Sequence, residues 1–127
     1  MLMIPGPTQV DPVVMRAMMK TTESHMSEPF GLLYRRVLDN LKKVFVTDGE
    51  AFAIAGSGTL AQEIALANMI RPGDKVLNLM TGYFSGRFVD IAKSLGAIPH
   101  PLTVQWGKAI KPEDVRRELA KDTFRAV

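Results

Sequence analysis

The chain contains no cysteine. That removes disulfides, thiolate nucleophiles and cysteine-ligated zinc or iron–sulfur centres from its chemistry. Aromatic residues are scarce, at 7%, and they do not interleave with the basic residues, which stand singly or in pairs such as Arg35-Arg36, Lys42-Lys43 and Arg116-Arg117. A net charge of +3 therefore points weakly to small anionic ligands and away from a nucleic-acid groove. No apolar run approaches the roughly 18 residues of a membrane span. The opening MLMIPGPTQV has neither a basic n-region nor a long apolar h-region. No membrane association and no signal peptide are expected, and cytoplasmic residence is the default. Repeats and low-complexity segments are absent. His25 and His100 share no ligand spacing with a carboxylate cluster, so no metal site is expected.

What remains, with 46% apolar and 23% charged residues over 127 positions, is an ordinary globular composition for one domain at most. Pro5 and Pro7 push their predecessors away from helix, making residues 1–9 an extended arm. Asp11 followed by Pro12 reads as the cap and first turn of a short helix to about Lys20. From Pro29, apolar residues recur at three- and four-residue steps through Phe30, Leu33, Tyr34, Val37, Leu38, Leu41, Val44 and Phe45, the pattern of a long helix ended by Thr47-Asp48-Gly49. A core-facing role for that stripe is expected ahead of a dimer interface.

Beyond it, strand and helix alternate. Strands are predicted at 50–55, 75–80 and 97–104, and helices at 59–70, 85–95 and about 111–121, with Gly96 closing the second of these helices. Thr123 to Val127 resembles a fourth strand just begun. The fold class is α/β, a mainly parallel sheet with flanking helices. Because a parallel sheet is covered on both faces, the sequence reads as the N-terminal portion of a larger polypeptide, with a small complete domain as the alternative. Residues 1–49 form an arm with two helices. Residues 50–127 form the first part of a larger α/β domain.

The segment Ala51 to Leu66, AFAIAGSGTLAQEIAL, carries the most chemistry. It runs from an apolar strand through Gly56-Ser57-Gly58-Thr59 into a helix. A helix start presents N–H groups without intrahelical partners and about half a positive charge, so it seats anions. Gly56-x-Gly58-x-x-Ala61 fits the permissive dinucleotide pattern. That pattern also wants a carboxylate at the end of the next strand, where Met80-Thr81-Gly82 offers none and Asp74 lies at the wrong end. A P-loop needs Gly-Lys-Ser/Thr, which does not follow. A purely structural glycine turn also remains open.

Thr81-Gly82-Tyr83-Phe84-Ser85-Gly86-Arg87 follows the next strand and should lie on the same carboxyl-end rim, where open α/β sheets bind ligands. A phosphate cup beside an aromatic shelf suits a phosphorylated aromatic cofactor, since offset stacking adds roughly 0.5–1.5 kcal/mol beyond area burial. Phe84 as a core aromatic is the alternative.

Five segments occur in order along nearly the whole chain: Pro5-Gly6-Pro7-Thr8, Ser24-His25-Met26, Gly56-Ser57-Gly58-Thr59, Arg71-Pro72-Gly73-Asp74 and Gly82-Tyr83-Phe84-Ser85-Gly86-Arg87. Together they resemble the serine–pyruvate/alanine–glyoxylate group of class V aminotransferases, fold-type I enzymes dependent on pyridoxal 5′-phosphate (PLP). The resemblance covers this chain but only the first part of a family member, placing residues 50–127 in the large PLP-binding domain. It implies that Ser57, Gly58 and Thr59 hold the cofactor phosphate and that Phe84 stacks on the pyridine ring, where the family often has tryptophan. Gly6 then lies near the substrate carboxylate. Substrates implied are a small amino acid such as alanine or serine and a 2-oxo acid such as pyruvate or glyoxylate. The family's Schiff-base lysine, pyridine-nitrogen aspartate and substrate arginine fall beyond residue 127, and no lysine from Lys20 to Lys121 occupies the Schiff-base context. The chain alone is therefore expected to be inactive, and a homodimer or a complementing C-terminal chain is implied. A cysteine desulfurase-like PLP enzyme or a non-catalytic split-gene subunit are the alternatives.

Overall fold

The computed structural model describes residues 2–127. The chain divides into two compact units, one reaching to Ile54 and the other running Ala55–Val127.

In the first unit, helix α1 (Pro12–Met18) starts from Asp11, whose carboxylate accepts the Val13 N–H at 2.7 Å. Proline in that first turn costs little, because its missing N–H would have had no intrahelical partner. Helix α2 (Glu28–Phe45) starts one residue before the expected Pro29, because Ser27 caps it by accepting the Phe30 N–H at 3.3 Å. It ends at Val46, whose φ of 51° puts a β-branched residue in the left-handed region. No α2 side chain is buried, and Leu33, Val37 and Val44 of its apolar stripe are exposed. Phe30, Leu38 and Leu41 of the stripe are half-buried, so the core-facing expectation is met only in part.

The strand predicted at 50–55 does not form. A strand exists only where a neighbour completes its ladder, and among the described residues Ala51 to Ala55 has none. The run stays unpaired, with Phe52 75% and Ile54 63% exposed. The Tyr34 hydroxyl donates to the Ala53 carbonyl at 3.0 Å.

The second unit contains helix α3 (Gly58–Met69), strand β1 (Lys75–Met80), helix α4 (Tyr83–Ser94), strand β2 (Ile98–Thr103) and helix α5 (Pro112–Leu119). β1 and β2 are parallel, in register from Lys75 opposite Ile98 to Met80 opposite Thr103. α4 is the crossover between them, packed on both strands and against α3. Leu66 of α3, Ile70, Val76 of β1, Ile91 and Ala92 of α4, and Ala97 make the core, with Phe88, Leu95 and Ala126 against it. Two glycine turns feed the strands. Gly73 and Gly96 both take left-handed φ, +88° and +78°, and Gly73 N–H donates to Gly96 O at 2.8 Å. A side chain at Gly96 would press on Pro72 at 3.1 Å. The fourth strand appears as one parallel bridge, Val76 to Ala126, with Leu77 N–H donating to Ala126 O at 3.0 Å. The class is α/β with parallel strands and flanking helices, as the alternating pattern predicts.

Candidate functional site

The glycine turn Gly56-Ser57-Gly58-Thr59 opens α3. Ser57 is the cap: its Oγ accepts the Leu60 N–H at 3.2 Å, and its carbonyl accepts the Ala61 N–H at 3.2 Å. The Gly58 and Thr59 N–H groups have no acceptor among the described residues. The Ser57 hydroxyl proton is also free, since its oxygen is used here as an acceptor. Two backbone donors and one hydroxyl donor thus meet at the positive end of a helix dipole, and no carboxylate takes part in the turn. A Cβ built at Gly58 meets nothing within 4 Å, so backbone there is open to a ligand. Gly56 is different: its Cβ would fall 2.3 Å from Leu60 Cδ2, so that glycine serves close packing of the turn on its own helix.

The second rim loop leaves β1 at Met80 and enters α4. That helix starts at Tyr83, two residues before the predicted Ser85, because Ser85 reaches back as its cap. Ser85 Oγ accepts the N–H groups of Thr81 and Gly82 at 3.0 Å each and donates to Gly82 O at 2.8 Å. Phe84 is 53% exposed, outside the core, with the Tyr83 ring edge-on to its own at a centroid distance of 5.3 Å. One face of a half-exposed ring is what a flat ligand needs. The core aromatic of α4 is Phe88 instead.

Gln62 links the two loops, donating from Nε2 to the Phe84 carbonyl at 3.4 Å. Thr59 also lines a recess of about 290 Å³ together with Arg87 and Asp90 of α4. Ser57, Gly58, Thr59 and Phe84 therefore belong to one compact unit, on two helix starts tied together by a side chain. Gly6 belongs to the first unit, in the bent arm, with open space where a Cβ would stand. His25 is exposed. Asp74, the one carboxylate near the spacing of a dinucleotide site, is spent in its turn: its Oδ2 accepts the Arg71 N–H at 2.8 Å.

Sequence reasoning did not single out Gln62 or the capping role of Ser85. The serine at the third position of a helix was a usable signal. Gln62 gave none, since a polar residue on a helix reads as solvated until the neighbouring helix is placed.

No protein-family model matches the chain. Over its whole length it is 43% identical to an uncharacterized aminotransferase of Methanocaldococcus jannaschii, of which it covers 33%. It is 40% identical over 122 residues to the serine–glyoxylate aminotransferase of Methylorubrum extorquens, covering 95% of this chain and 30% of that protein. The crystal structure of ureidoglycine–glyoxylate aminotransferase from Bacillus subtilis matches with a TM-score of 0.82 at 33% identity, over 92% of this chain and 30% of that one. The chain spans about a third of the length of these curated relatives. In sequence and fold it is a relative of the serine/alanine–glyoxylate group of class V aminotransferases, matching about a third of such a protein.

Proposed function

We propose that the chain is the N-terminal portion of a PLP-dependent aminotransferase that moves an amino group between a small amino acid, alanine or serine, and a 2-oxo acid, pyruvate or glyoxylate. The observation that carries this reading is the free donor set of Gly58, Thr59 and Ser57 on a helix start joined through Gln62 to the loop that presents Phe84. That donor set fits a dianionic phosphate, and the half-exposed ring fits a planar heterocycle. When bound, PLP supplies the electron sink for chemistry at the amino-bearing carbon.

The residues of this chain bind and orient. Gly58 and Thr59 donate backbone N–H groups to phosphate oxygens, and Ser57 donates its hydroxyl while its oxygen still caps α3. Phe84 covers one face of the ring and keeps water from it. Gly6, without a side chain, lets the arm backbone approach the substrate carboxylate. Residues 1–49 serve the small-domain and dimer side, and residues 50–127 the first part of the large domain. Covalent attachment of the cofactor and proton transfer belong to groups outside these 127 residues, so the chain alone is inactive and works in a homodimer or with a complementing C-terminal chain. The exposed stripe of α2 and the unpaired Ala51–Ala55 run favour a partner-dependent polypeptide.

A chimera tests the reading. These residues replace the matching part of the Methylorubrum serine–glyoxylate aminotransferase, and cofactor content and serine–glyoxylate transfer are measured. A folded chimera with bound cofactor and turnover supports the assignment. A folded dimer that fails to retain the cofactor refutes it.

A further inference from the structure

Two helix starts carry the two halves of the site, and one side chain ties them together. Gln62 lies in the second turn of α3, below the Ser57 cap, and its Nε2 donates to the carbonyl of Phe84 in the first turn of α4. Among the described residues this is the one hydrogen bond between α3 and α4. The buried apolar residues of the two helices lie deeper. Leu66 is about one turn beyond Gln62, and Ile91 and Ala92 are about two turns beyond Phe84. The tie nearest the ligand rim is Gln62.

The fold gains little from this bond. At 3.4 Å it is long for N–H···O, and the Phe84 carbonyl stands inside α4, where the Phe88 N–H is its ordinary helical partner. Gln62 also carries a cost. Its Oε1 is covered by the chain itself and accepts no hydrogen bond among the described residues, and a buried unpaired acceptor destabilises. Methionine is also unbranched, would fill the same space and would leave no such acceptor there. Stability therefore does not account for a glutamine at this position. Its place between the two halves of the site does.

We infer that Gln62 is a positioning residue: it couples the phosphate seat of Ser57, Gly58 and Thr59 to the Phe84 ring, so that one phosphorylated planar ring meets both at once. This inference rests on the cofactor reading and deepens it. A phosphate held on the α3 start fixes how far its ring lies from that helix, and stacking is gained only where Phe84 stands to match. Gln62 acts on the backbone of Phe84 and not on the ligand. Contacts of this kind are often long in the free protein and tighten when the ligand is held. Phosphate alone needs only the α3 start and is indifferent to Gln62, whereas the added affinity of the ring depends on it.

Calorimetric titration of the 127-residue chain with pyridoxine 5′-phosphate and with inorganic phosphate tests the inference, on wild type, Gln62→Met, Phe84→Ala and the double variant. Gln62→Met is expected to melt no lower than wild type and to bind inorganic phosphate unchanged. It should bind pyridoxine 5′-phosphate about fivefold more weakly, which is within the worth of one stacked ring. In the Phe84→Ala background the same substitution should make no further difference, because the ring it positions is gone. Unchanged affinity of Gln62→Met for pyridoxine 5′-phosphate, or an equal loss with and without Phe84, overturns the inference and leaves the cofactor reading standing. A lowered melt with equal losses for both ligands makes Gln62 a purely structural residue and overturns it too. A wild type that binds pyridoxine 5′-phosphate no better than inorganic phosphate overturns the cofactor reading, and this inference with it.

Discussion

Gly58→Ala separates what the turn does for folding from what it does for a ligand. The backbone at Gly58 is not in the left-handed region, and an added Cβ meets nothing within 4 Å. Alanine therefore fits, and it brings better helix propensity. The interior difference is about 0.8–1.0 kcal/mol, of which a first-turn position keeps about half. For a domain of this size about 0.5 kcal/mol corresponds to a rise of about 2–4 °C in Tm. The open space that makes alanine harmless to the fold is the space a phosphate oxygen needs. Hydrogen bonds to a charged group contribute about 1.5–3 kcal/mol each. Weakening one by the intruding methyl lowers affinity about tenfold or more, since about 1.4 kcal/mol is a factor of ten. Thermal melts by circular dichroism and calorimetric titration with pyridoxine 5′-phosphate read the two effects. This analogue lacks the aldehyde and cannot react with surface lysines. A variant that melts higher and binds less tightly is expected. A lower melt, or an unchanged affinity, refutes the reasoning.

Other perturbations follow from single contacts. Ser85→Ala removes the acceptor for two N–H groups at the start of α4 and is expected to cost about 1–2 kcal/mol in urea unfolding. Val46→Gly relieves a β-branched residue at φ 51° and is expected to gain about 1 kcal/mol by the same assay. The Lys75 ammonium hydrogen-bonded to Asp122, and then the Thr123 N–H, hold the Asp122 carboxyl below its ordinary value of 3.8. That stabilisation is fully present above 3.8 and is lost as pH falls through the lowered native value, so Asp122→Asn should flatten this part of the acid limb of Tm against pH.

Most of the second unit was legible because its signals are local. Lys75 to Met80 forms the strand its apolar run predicts, and Arg71-Pro72-Gly73 and Gly96 end helices where a left-handed residue or a proline is required. The start of α3 was legible for the same reason, since glycine and serine before an apolar pattern mark a cap, whereas α4 starts two residues before the predicted Ser85. What failed was non-local. Ala51 to Ala55 has strand composition, but composition does not supply a neighbour, and both sides of β1 at Val76 are already taken by β2 and the Ala126 bridge. The α2 stripe has core periodicity, yet periodicity does not say what covers it. Gln62 needed the position of α4 before its hydrogen bond had meaning.

The most direct test of the central claim is a ¹⁵N-resolved NMR titration of the chain with pyridoxine 5′-phosphate, with pyridoxine as the control. The account predicts saturable shifts of the Gly58, Thr59 and Phe84 amides with the phosphorylated ligand, and none at Gly58 or Thr59 with pyridoxine. Unmoved Gly58 and Thr59 amides, or equal shifts with both ligands, would contradict it.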